Sequence, residues 1–250
     1  MSKYLSIAYE SLSMHSLIDL RRAWAIPPWR HQITKTRRNG SAAQPSGRYL
    51  RPMDGVRFDE HYMERRSIPN GSTLVLRLVR PSDATLLLRG FERLSIESRY
   101  RRFFTPKKAL SPAEVKYFTE CDGINHFAIG ALVERVDGSE EGVGIARFVR
   151  VAADPCAAEA ALTIIDDCQH KGIGRLLLER LLAAAAERGL RELRFSVVAA
   201  NGSMLDLLRR FEGPTGRSLQ SQPGRGVVEF IMPVQAPEEP RVRPAGASVG

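Results

Sequence analysis

Six residues in the middle of the chain, Gln169-His170-Lys171-Gly172-Ile173-Gly174, have the types and spacing of a diphosphate cradle. They follow an apolar, partly β-branched run, Leu162-Thr163-Ile164-Ile165, that reads as a buried strand. They precede an Ala- and Leu-rich run over 175–188 that, with the end of the loop, places Ile173, Leu176, Leu177, Leu181 and Leu182 on one helical stripe. The first turn of a helix has N–H groups without intrahelical partners and carries the positive end of the dipole, so main chain alone can hold an anion there. Gly172 and Gly174 let the backbone approach with no Cβ in the way, and Lys171 adds a cation. The pattern is neither G-x-G-x-x-G nor a glycine loop ending in Lys-Ser/Thr, so the dinucleotide fingerprint and the nucleotide P-loop are both unmet. An ordinary strand-to-helix turn, its glycines serving packing, is the other reading of these six residues.

The elements around this loop follow from hydrophobic period and punctuation. Residues 73–79 read as a strand stopped by Arg80-Pro81, and 83–93 and 97–104 as helices. Ser111-Pro112-Ala113-Glu114 combines an N-cap, a proline in the first turn and a capping-box glutamate, so a third helix starts there. Residues 127–136 and 143–151 form a hairpin around Asp137-Gly138. A strand over 158–166, the helix after the loop, a strand over 192–198, a helix over 201–211 and a last strand over 226–232 complete the order. Helices before a hairpin, followed by a strand–helix–strand unit, argue a mixed α/β (α+β) layered architecture.

Composition bounds the rest. The chain of 250 residues is 43% hydrophobic and carries a net charge of +9, with a pI near 9.9. Residues 1–70 hold 12 Lys/Arg against 6 Asp/Glu, while 71–234 hold 23 against 20. The expected organisation is a basic, largely flexible arm over 1–70, one folded domain over 71–234, and a Pro-rich disordered tail over 235–250. Leu5, Ile7, Leu12, Leu17, Ile18 and Leu20 leave open either a short docking helix or an unstructured leader in the first 29 residues. The basic arm implies weak, salt-dependent contact with polyanions, but no helix-turn-helix, zinc or aromatic RNA-binding signature accompanies it. No apolar run is long enough for a membrane span and no signal-cleavage pattern appears. Cys121, Cys156 and Cys168 lack metal-like spacing with the five histidines, which fits a reducing, cytoplasmic setting and no metal site.

Q-x-x-G-x-G at 169–174 resembles the acetyl-coenzyme A loop of the GNAT acetyltransferase superfamily. The likeness extends to Asn125-His126-Phe127-Ala128, Gly144-Ile145-Ala146-Arg147-Phe148-Val149-Arg150, Ala158-Glu159-Ala160-Ala161, Asp166-Asp167, Asn201 and Met204. That combination is similar to the bacterial Pat-type protein lysine acetyltransferases over roughly residues 73–234. The resemblance implies a GNAT-like fold: a central, mostly antiparallel sheet splayed at two parallel strands and flanked by helices. It implies acetyl-coenzyme A as the acyl donor and an amine as acceptor, a protein lysine first and a small amine second. It places Leu162 and Ile164 beside the pantetheine arm, Gln169, His170, Lys171, Gly172, Ile173, Gly174 and Arg175 at the diphosphate, and Asn201 at a helix end that helps hold the coenzyme. Asn201 as a plain N-cap is the other reading.

An amine attacks a thioester only through a free lone pair. Lysine has an unperturbed pKa of about 10.4, so at neutral pH only on the order of one in a thousand is ready, and a nearby base is useful. Glu159 is the candidate, at the start of the strand feeding the loop and set among Ala157, Ala158, Ala160 and Ala161, an apolar setting that raises a carboxylate's pKa. The matching glutamate of Pat-like enzymes is regarded as the base; a solvent-facing strand-end glutamate is the alternative. Many GNAT members carry a tyrosine seven residues after the asparagine corresponding to Asn201, as a general acid; here Leu208 stands there, so the thiolate is left to water. His126 reads as structural, Cys168 as a small packed residue, and Asp166 and Asp167 either as recognising an incoming cation or as ending the strand. A coenzyme-binding regulator with weak catalysis and a nucleic-acid-associated protein are the competing function classes.

Overall fold

The computed structural model describes residues 57–68, 72–211 and 226–234. The expectations for residues 1–56 and for the tail from 235 lie outside the described residues. Seven strands form one sheet in sequence order: β1 (Met63–Ser67), β2 (Thr73–Leu78), β3 (His126–Glu134), β4 (Glu140–Val151), β5 (Asp154–Ile164), β6 (Glu192–Val198) and β7 (Val227–Pro233). Every neighbouring pair is antiparallel except β5 and β6, which run parallel. The mixed, mostly antiparallel sheet with one parallel pair is the fold the resemblance implies.

The parallel pair needs a crossover, and α4 (Ile173–Glu187) supplies it. Its Ala/Leu composition favours helix, and it buries Ile173, Leu177, Leu178, Leu181, Ala184 and Ala185 against β3, β4 and β5. The expected stripe is rotated slightly: Leu178 is fully buried, whereas Leu176 and Leu182 are half-buried at its edges. On the opposite face lie α1 (Ala84–Glu92), α2 (Ile96–Phe103) and α3 (Pro112–Thr119). At α3 the Ser111 hydroxyl accepts from the Glu114 N–H at 3.3 Å and the Glu114 carboxylate accepts from the Ser111 N–H at 2.8 Å, the reciprocal pair that the sequence pattern predicts. The last helix, α5 (Gly202–Arg209), precedes β7.

The boundary expected at residue 71 falls between β1 and β2, which pair antiparallel, and residues before it pack on the domain. Phe58 is 0% exposed, packs edge-on to Phe127 at 6.5 Å, and is pinned to the end of α4 by Arg188, whose Nη2 donates to its carbonyl at 2.8 Å. Glu64 of β1 accepts from Arg180 of α4 at 2.7 and 3.0 Å, and that guanidinium holds the Glu64 carboxyl far below the usual range despite some burial. Among the described residues no helix is long and apolar enough to cross a membrane.

Candidate active site

The parallel pairing of β5 with β6 is short. Ala157, Ala158 and Glu159 are in register with Glu192, Leu193 and Arg194, and beyond that point the strands diverge. Residues 160–164 and 195–197 therefore face each other across a gap, and their facing main-chain groups lack a strand neighbour. The gap opens a cleft of about 520 Å³ that reaches the loop before α4.

The loop itself is shaped by two left-handed residues. Asp166–Cys168 make one 3-10 turn, His170 takes φ 59° and Gly172, the N-cap of α4, takes φ 82°. The loop leads directly into the N-terminus of a 15-residue helix, the positive end of its dipole. A left-handed conformation at a residue with a Cβ, as at His170, costs about 1–2 kcal/mol and tends to occur where function over-determines the backbone. No heavy atom lies within 4 Å of where a Cβ on Gly172 would stand, so glycine is there for the φ angle and not for packing.

Leu162, Ile164, Gln169, His170, Gly172, Gly174, Arg175 and Asn201 line the cleft together. Leu162 and Ile164 point to the α4 face, where a Cβ on Gly174 would meet them at 3.7 and 3.9 Å. The Gln169 amide donates to the Ile164 carbonyl at 3.2 Å and so ties loop to strand. The side chains of two further loop residues lie outside the cleft lining: Lys171 Nζ donates to the Asp167 carbonyl at 2.7 Å, and Ile173 is buried in the core. Asn201 caps α5, accepting from the Met204 N–H at 3.3 Å, while also lining the cleft. Leu208 is fully buried, so that position brings no hydroxyl to the cleft.

One wall of the cleft was not singled out from the sequence. Ser98, Arg101, Arg102 and Phe104, from α2 and its C-cap, line it, as do Ser203 and Arg210. The run Arg99-Tyr100-Arg101-Arg102 is a legible basic cluster, but only the fold brings it over β5. Asp166 supplies that docking: its carboxylate accepts from the Ser95 N–H and hydroxyl at 2.9 Å each and from the Ser98 hydroxyl at 2.8 Å. Burial works against its charge, yet these bonds hold the carboxyl below the usual range. Asp167 pairs with Arg93 at 3.0 Å. Both aspartates thus fasten helices to the loop; Asp166 is enclosed by its three bonds, whereas the Asp167 side chain stays 74% exposed.

Glu159 occupies the last β5 position paired with β6, facing Val149 of β4 and Arg194 of β6, on the sheet face opposite α4. The next two residues, Ala160 and Ala161, line the cleft. Burial raises the Glu159 carboxyl above its usual range, Glu229 raises it further, and Arg194 opposes them. On the same face Tyr117 stacks on His126 with centroids 4.7 Å apart. Burial, reinforced by the Arg147 charge, lowers the His126 pKa to about 4, so its ring is neutral and accepts from Arg147 Nη1 at 3.3 Å.

That shift has a stability consequence with a defined sign. The unfolded chain protonates His126 near pH 6.5 and the native chain only near pH 4. The unfolded state therefore binds more protons between those values, and stability falls as pH drops through that window. Urea unfolding should show a loss of about 3 kcal/mol from His126 between pH 7 and 4. His126→Gln should flatten the profile in that interval, and an unchanged slope would refute the assignment.

The sequence model of the acetyltransferase (GNAT) family matches residues 94–212. The chain is 32% identical over 148 residues to acetyltransferase PA5475 of Pseudomonas aeruginosa, covering 59% of this chain and 77% of that protein. It is 32% identical over 143 residues to acetyltransferase Pat of Mycolicibacterium smegmatis, covering 57% of this chain and 42% of that one, so it spans less than half of that relative's length. The crystal structure of the GNAT domain of S. lividans PAT superposes with a TM-score of 0.61 at 28% identity, covering 70% of this chain and 99% of that domain.

Proposed function

The chain belongs to the acetyltransferase (GNAT) family and is an N-acetyltransferase, and from that premise we propose that it moves the acetyl group of acetyl-coenzyme A to the side-chain amine of a protein lysine. The observation that carries the donor half is the gap between β5 and β6 ending on the left-handed loop at 169–174. A diphosphate accepts from the loop N–H groups, and the pantetheine arm runs along the unpaired edges of 160–164 and 195–197. The thioester then lies near Ala160 and Ala161, on the threshold between the cleft and Glu159.

The acceptor enters from the face opposite α4. Glu159, its carboxylate made more basic by burial, takes a proton from the amine, directly or through one water. The freed lone pair attacks the thioester carbonyl carbon, the C–S bond breaks, and the second proton released by the nitrogen passes through water to the departing coenzyme thiolate. The choice of a protein lysine rests on the resemblance to Pat-type enzymes. It is tested by incubating a lysate with the purified protein and isotopically labelled acetyl-coenzyme A. Labelled lysines in tryptic peptides are the expected result; label confined to small molecules would move the acceptor to a free amine.

A further inference from the structure

Arg147 takes no part in the transfer described above, yet it is a buried charge beside the transfer point. It is 4% exposed and stands on β4 directly across from Ala161, on the same sheet face as Glu159. Arg147 and Glu159 are thus diagonal cross-strand neighbours, about 7–8 Å apart by strand geometry. Its Nη2 donates to the Phe118 carbonyl at 2.9 Å, its Nη1 reaches His126 Nε2 at 3.3 Å, and its Cζ lies 4.4 Å over the Phe118 ring. All of these partners are neutral. Among the described residues no carboxylate pairs with Arg147, and burial pushes its guanidinium pKa down, with Cys121 and Tyr117 only partly opposing.

Arg77 supplies the contrast within the same fold. It is 5% exposed, but both Asp83 oxygens accept from it at 2.8 Å and Glu140 at 3.1 Å. A buried ion with no counter-charge carries a desolvation cost, which an entering anion offsets.

There is room for one. A cavity of about 110 Å³ lies between the sheet and α1 and α3, lined by Arg147, Phe118, apolar residues such as Leu86 and Phe91, and the mutually paired Arg77 and Asp83. Thr163 and Arg102 line both this cavity and the donor cleft, and so form a boundary that the two spaces share. The Thr163 hydroxyl oxygen is buried there without a hydrogen-bond partner among the described residues.

Resting on the acyltransferase reading, we propose that this inner cavity receives a substrate carboxylate, held by Arg147, at the far end of a short chain whose near end is at the transfer point. Two substrates present that chemistry. One is an acyl donor whose acyl group ends in a carboxylate, and the other is an amine acceptor that carries its own carboxylate.

Two specificity ratios distinguish them. The first compares kcat/KM for succinyl- and butyryl-coenzyme A, donors of equal chain length that differ in the terminal group. The second, with acetyl-coenzyme A as donor, compares free lysine with lysine amide. In the wild type one ratio is expected to favour the carboxylate by about ten- to a hundredfold, the range for a hydrogen bond to a charged group. Arg147→Met should bring that same ratio to about one and Arg147→Lys should restore part of it. Each ratio is formed within one protein, so a loss of folded material cancels. A moving first ratio assigns the carboxylate to the donor and a moving second ratio assigns it to the acceptor. Both ratios near one in the wild type, or unmoved by Arg147→Met, would overturn the proposal while transfer from acetyl-coenzyme A persisted. Absence of transfer from every donor, with no heat protection by acetyl-coenzyme A, would instead sink the acyltransferase reading beneath it.

Discussion

Replacing Glu159 with glutamine is expected to slow acetyl transfer by about two to four orders of magnitude and to leave coenzyme affinity unchanged. That loss corresponds to about 3–5 kcal/mol of barrier. The substitution keeps the shape of the side chain and removes only its capacity to accept a proton. Among the described residues Glu159 makes no hydrogen bond or ion pair that glutamine would break: its carboxyl is raised by burial and by Glu229, with Arg194 acting only at a distance. Taking a charge out of a half-buried site should leave the fold at least as stable, so catalysis and folding separate cleanly. Single-turnover rates at saturating coenzyme measure the effect. The wild-type rate should climb with pH through the raised Glu159 value and then level, because the base must be ionised to act. The glutamine variant should lose that inflection and recover partly at high pH, where more of the acceptor amine is neutral unaided. Near-normal single turnover of Glu159→Gln at pH 7 would remove the general-base role.

The sequence makes the elements legible where a local rule decides them. β6 runs over Glu192–Val198 as its alternation predicts, the Asp137-Gly138 hairpin joins β3 to β4, and the capping box opens α3. It hides the elements that tertiary contacts decide. β1 reads Met-Glu-Arg-Arg-Ser, with almost no apolar alternation, because it is an edge strand exposed along most of its length and fixed by the Glu64 to Arg180 pair. β5 begins at Asp154, earlier than its apolar run, since the turn at Ala152-Ala153 carries no glycine and Pro155 reads as a breaker. Within the site, the loop and the strand leading to it are contiguous and so could be found by eye. The basic wall from α2 could not, because Asp166 docks that helix from about 70 residues away. The splay of β5 from β6 has no signature in period or composition and was expected only through the resemblance.

Acetyl-coenzyme A is expected to protect the protein from heat, and Gly174→Glu to abolish that protection. At a ligand concentration a thousand times its dissociation constant, mass action stabilises the native state by about 4 kcal/mol. Gly174 is the second residue of α4, where the N–H is one of the four that the helix leaves unpaired, and it lines the cleft between Leu162 and Leu207. A bare Cβ there would approach the Leu207 Cδ2 at 3.4 Å, a contact that the flexible end of a leucine can relieve. Gly174→Ala is therefore the control and should keep most of the protection. Glutamate adds four further heavy atoms and a negative charge where the diphosphate must come within hydrogen-bond distance, which opposes binding sterically and electrostatically at once. Without ligand, its charge at a helix N-terminus is favourable by about 0.3–1 kcal/mol, so the free variant should remain folded. Thermal melts of wild type, Gly174→Ala and Gly174→Glu across a coenzyme titration read the three cases. Equal protection of the glutamate variant and the wild type would place the diphosphate elsewhere and remove the role assigned to the 169–174 loop.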